Sequence, residues 1–110
     1  MSVRATHSEW VARAEPAAPP ALVRRVTEVI VAHPAWEALP VADALTLAGE
    51  ELLRAVLGAA AAEDRASALD LLAADACMTW AFEVAATAPE LLSVRAQGVM
   101  GRIFAAESVR

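Results

Sequence analysis

Apolar residues along this chain recur three and four positions apart, the spacing of helices that each turn one face to a core. Leu22, Val26, Val29 and Ile30 make such a stripe. Pro20 fits the first turn of that helix, and Pro34 ends it just after His33. Arg24 and Glu28 fall outside the stripe at i,i+4 spacing. A second series spans about 41–62, opened by Pro40: Val41, Leu45, Ala48, Leu52, Val56 and Ala59 inside, flanked by Leu53. Asp43, Glu50 and Arg54 lie opposite, with Glu50 and Arg54 positioned to pair along the helix. Leu47 sits among those polar residues. Gly58–Ala62 has no large side chain to anchor it, so this end is expected to fray, with a turn at 63–65.

The stretch 66–88 reads differently. Leu69, Leu72, Ala76, Trp80 and Val84 form one stripe, and Leu71, Met78, Phe82 and Ala85 form a second, nearly opposite. A helix apolar on two faces is the central helix of a bundle or half of an oligomer interface. No water-facing side of any width is expected, so other helices, from this chain or a second copy, should enclose it. Ser67 and Asp70 have the spacing of a weak capping box for its start, and Pro89 stops it.

Thr87, Pro89 and Glu90 combine an N-cap candidate, a first-turn proline and an early acid, so a last helix is predicted over about 89–107. Leu92, Ala96, Val99 and Ile103 make its bulky face. Val94, Gly98, Gly101 and Ala105 make a face of mostly small residues. Two interior glycines cost a helix about 1 kcal/mol each relative to alanine. Close approach of another backbone would compensate.

Ahead of these helices, Thr6 and Glu9 form a capping box for a short helix over 6–15 carrying Trp10 and Val11. Three prolines within 16–20 then make a stiff connector. Residues 1–20 are therefore an arm that docks on its own bundle or on a neighbour, and 21–110 are one helical domain. The segment 33–40, bracketed by prolines, has room for about one turn, with Trp36 and Leu39 plugging the end of the core. The predicted fold is all-α: a small bundle of four main helices with a short N-terminal helical arm, assembled as a homodimer.

Composition sharpens this picture. About a quarter of the residues are alanine, the best helix former, and every basic residue other than histidine is arginine. The hydrophobic share is 58% and mean hydropathy +0.46, high enough to suggest apolar surface shared with a partner. The net charge is −5. Residues 41–90 carry nine acids against Arg54 and Arg65. An acidic domain lacks the phosphate-neutralising footprint of nucleic-acid binding. Asp70, Asp75 and Glu83 break the longest apolar run, so no membrane span is predicted. The opening residues do not read as a secretory signal, and cytoplasm is the expected compartment. Cys77, the sole cysteine, reads as a small buried hydrophobe.

Candidate chemistry is sparse. One cysteine and two histidines cannot supply the usual zinc spacings, and no Glu-x-x-His pair suggests a di-iron bundle. No metal or cofactor is expected. No phosphate-binding glycine loop or nucleophile elbow occurs, and the chain leans away from enzymes. His7 lies in the arm. His33 reads as a C-terminal histidine favoured by its helix dipole. Glu83 and Asp75 fall on apolar stripes, where a carboxylate needs a partner. Arg95 and Arg102, on one stripe of the last helix, are natural partners, or a site for an anionic ligand.

The expected function is a non-catalytic interaction or assembly module. Its surface would be Leu71, Met78 and Phe82, or the groove of Gly98, Gly101 and Ala105, and its partners itself and an unidentified protein. The acidic face of 41–90 would set partner choice. The alternative is a regulatory domain binding a small molecule in a pocket near Trp36, Trp80 and His33.

Overall fold

A computed structural model describes residues 6–14, 16–58, 65–87 and 92–108. It is all-helical. Five α-helices run α1 His7–Ala12, α2 Pro20–Val31, α3 Val41–Gly58, α4 Arg65–Ala85 and α5 Leu92–Ser108, with a 3-10 turn at Pro34–Ala38 between α2 and α3. Among the described residues there is no strand.

The start of α1 is set by its capping box. Thr6 Oγ1 accepts from the Glu9 amide at 3.1 Å, and Glu9 Oε2 accepts from the Thr6 amide at 3.0 Å. That satisfies donors the first turn would otherwise leave free. The arm docks on its own bundle. Val11 is buried, and Trp10 meets Trp80 edge to face at 6.2 Å between ring centres. His7 is not in a loose segment as its place in the arm suggested. It is buried, and its Nε2–H points at the Trp36 and Leu39 carbonyls, each 3.0 Å away. Its amide donates to Glu37 Oε1 at 3.1 Å. The 3-10 turn thus holds the arm.

Packing of α2 follows its stripe: Leu22, Val26, Val29 and Ile30 are all buried. Together with Leu45, Ala48 and Leu52 of α3 they form the centre of the core. Each leucine, valine or isoleucine among them contributes about 1.5–3 kcal/mol through burial. On the rim, Glu28 bonds Arg25 at 3.2 Å, not the Arg24 that i,i+4 spacing indicated. Arg25 also donates to Asp70 at 2.6 Å and ties α2 to α4. This hydrogen bond raises the Arg25 pKa.

The pairing of α3 with α4 departs from the expected pattern. α4 turns Ala73, Ala74, Cys77, Trp80, Ala81 and Ala85 inward, a strip of mostly small residues that takes only Trp80 and Ala85 from the two predicted stripes. The cause is proximity. A Cβ placed on Gly49 would lie 3.0 Å from Met78 Cε and 3.1 Å from Cys77 Cβ, so α3 comes too close for leucine on the facing side. Leu71 and Leu72 point out instead, 52% and 59% exposed. The single chain therefore does not enclose α4. Ser67 lies inside the first turn of α4 and is buried, so it is not the residue that precedes the helix, as its spacing to Asp70 suggested. Thr87 Oγ1 donates to the Val84 carbonyl at 2.8 Å and closes the end of α4. The predicted fraying of 59–62 and the start signal at Pro89 and Glu90 lie outside the described residues.

Candidate interaction surface

The outer face of α4 follows from its inner one. At about 100° per residue, turning Ala74, Cys77 and Ala81 inward leaves Ala68, Leu71, Leu72, Asp75, Thr79, Phe82, Glu83 and Ala86 outward, and all of these are exposed. Phe82 is 38% exposed. Leu71, Asp75 and Met78 form the α4 wall of a groove of about 190 Å³, with Gly49 and Leu53 on the α3 wall and Ala74 also lining it. Asp75 is at the groove's edge and exposed, so its charge stays hydrated and needs no buried partner.

Across α3 from this groove, Glu50 holds the most unusual position. It is 2% exposed, although periodicity places it on the polar side with Arg54. Its partner is not Arg54 but Arg102 of α5, whose Nε donates to Glu50 Oε1 at 2.6 Å. Glu50 Oε2 is buried with no partner among the described residues. Glu50 lies about 100° around α3 from Gly49, on the flank that α5 crosses. Packing of α5 on α3 is what takes it out of water. A buried carboxylate is tolerated when an arginine meets it and becomes expensive when that partner is lost.

Arg102 thus pairs with neither Glu83 nor Asp75. Glu83 is exposed, and the Arg95 side chain lies outside the described residues. Gly101 has open space around it, and a Cβ on Gly98 would meet Arg102 Nη1 of its own helix at 3.4 Å. No described helix of this chain uses the Gly98, Gly101 and Ala105 face for close approach. On the far side of α5, Met100 and Phe104 are half exposed, four residues apart on one stripe.

The three tryptophans fall in two separate ring contacts. His33 stacks on Trp36 at 3.9 Å, and its Nε2–H donates to Glu51 Oε1 at 2.8 Å. Trp80 belongs with Trp10. A second groove of about 190 Å³ lies between α2 and α3, lined by Arg25, Glu28, Val29, Ala32, Glu51, Leu52 and Ala55, with none of the three tryptophans in its wall.

Two further observations bound the chemistry. No cluster of three metal-ligating side chains occurs among the described residues. No described helix is long and apolar enough to cross a membrane. Comparison with protein-family models, curated proteins and solved structures finds no match. Sequence reasoning missed Glu50 and Leu72. Glu50 carried no signal, because its burial depends on where α5 lands. Leu72 did carry one, its place on the first apolar stripe of α4, which was not assigned to the candidate surface.

Proposed function

We propose that this chain is a non-catalytic interaction module that docks partners on the outer face of α4. The observation that carries the reading is the exposure of Leu71, Leu72 and Phe82 on a helix whose opposite side lines the core. Covering such side chains gains up to about 1.5–3 kcal/mol apiece, and a helix already formed presents them without a backbone ordering cost. The groove beside Leu71 suits one inserted side chain. Neither of these two grooves, at about 190 Å³ each, reaches the ~300–1,000 Å³ of ordinary small-molecule sites, so neither supports the ligand-binding alternative. Asp75 and Glu83 flank the apolar positions and would select the partner's charge. The face of Gly98, Gly101 and Ala105 is a candidate second contact.

A photo-crosslinking side chain at position 82, in cells making the protein, tests the reading. A discrete adduct is expected that is absent when the same probe replaces exposed Glu28, and that disappears with Leu71→Asp. The same adducts from positions 82 and 28 would overturn it.

A further inference from the structure

Six residues on one edge of α4 repeat at alternating spacings of four and three: Arg65, Leu69, Leu72, Ala76, Thr79 and Glu83. This is the spacing of a two-helix seam. Arg65, Leu72, Thr79 and Glu83 are exposed, and Leu69 and Ala76 are part-covered. Neither Arg65 nor Glu83 forms an ion pair among the described residues. The row is chemically palindromic about the level of residue 74. Its charged ends have opposite signs, and its large and small members exchange places under reversal.

We propose that a second copy of this chain occupies this edge, α4 against α4, antiparallel. The proposal rests on reading the exposed face of α4 as a docking surface and names its occupant. In that arrangement Arg65 meets Glu83 of the second copy at both ends, Leu72 seats over Ala76, and Leu69 faces Thr79. Large side chains fall on small ones, which lets the helices approach and fills the seam. A parallel pairing in register sets Arg65 on Arg65 and Glu83 on Glu83, crowds leucine on leucine and leaves a gap between alanines. The antiparallel contact is isologous and closes as a two-fold dimer. Its length is about 27 Å, at the small end for a specific interface, so the dimer depends on concentration.

Sedimentation equilibrium from about 1 μM to about 1 mM tests this on the full chain. Four forms are compared: wild type, Arg65→Glu, Glu83→Arg and the double exchange. Wild type is expected to dimerise within that range. Each single change raises Kd by about tenfold or more, because like charges then meet. The double exchange restores Kd to within about threefold of wild type, because the pairs reform with signs reversed. Leu72→Asp abolishes the dimer. Circular dichroism confirms that each variant keeps its helix content, as exposed positions should allow. A wild-type monomer throughout, or a dimer whose Kd ignores both single exchanges, overturns the proposal. If the chain is monomeric while position 82 still yields its discrete adduct, self-pairing falls and the docking-face reading survives. If the adduct is absent as well, both fall.

Discussion

Two glycines separate close packing from open space. Gly49 lies where α3 and α4 approach, and a Cβ there meets Met78 Cε at 3.0 Å, Cys77 Cβ at 3.1 Å and the Ala74 carbonyl oxygen at 3.4 Å. The Met78 methyl can swing aside. Cys77 Cβ moves only with its helix, and the Ala74 carbonyl, already at contact distance, leaves no slack on that side. Gly49→Ala therefore forces α3 and α4 apart, and overpacking of this kind costs about 1–3 kcal/mol. That outweighs the ~1 kcal/mol that alanine adds to a helix interior. Gly101 has no such neighbour, and Gly101→Ala should add helix stability of up to about 1 kcal/mol. Urea unfolding followed by the helical signal reads both. Opposite signs are expected, and a stabilising Gly49→Ala would contradict the close contact. If a partner packs against Gly101, that substitution should instead weaken association while raising monomer stability.

At the scale of elements, α5 differs from the rest. α1 to α4 share one apolar core, whereas the described part of α5 buries Val99 and holds α3 through Arg102. Arg102→Ala leaves Glu50 with a buried charge and no arginine. The least costly relief is for α5 to lift and let water reach the carboxylate. Hydrogen exchange should then speed up by about 5- to 150-fold across 96–105, for a loss of about 1–3 kcal/mol, while amides of α2 and the middle of α3 keep their protection. Unchanged exchange in α5 would show that the ion pair does not hold it. The same contrast marks what sequence could reveal. The inward row of α2 was legible residue by residue, because its large aliphatics have one consistent period. The capping box of α1 was legible because it is local. α4 was legible as a helix but not in its orientation, since alanine and cysteine face the core and leucine does not. That choice is made by Gly49 on another helix. Glu50 was illegible for a similar reason, as its burial is decided by α5, fifty residues away. Of the candidate surface, Leu71, Met78 and Phe82 were legible as a stripe; Leu71 and Phe82 are exposed, whereas Met78 is part-buried beside Gly49, a contact that the sequence of α4 alone does not announce.

For the whole molecule, alkaline pH offers a test with few competing titrations. Cys77 is fully buried between α3 and α4, and desolvation pushes its thiol from 9.0 to about 12. The chain has no lysine and no tyrosine. Arginines stay charged throughout, and a chain amino group titrates lower, near 8. Cys77 is thus the side chain that ionises in this window. Its folded pKa is above the unfolded one, so the unfolded chain loses the proton first as pH rises past 9. The folded state then binds more protons, and stability falls with pH until the folded thiol itself ionises near 12. Below pH 9 both states carry the neutral thiol, and no dependence arises from this group. Thermal unfolding at intervals from pH 8 to 12 should show a Tm that is level to about pH 9 and declines beyond it. Cys77→Ala removes the titration and should flatten that decline, at the cost of a small constant loss of packing. A wild-type Tm that holds level through pH 11, or a variant that declines in parallel, would mean that the thiol is not sealed in the core. Close α3–α4 packing at Gly49 predicts that it is, because α3 lies so near α4 there that even an added Cβ would stand only 3.1 Å from Cys77 Cβ.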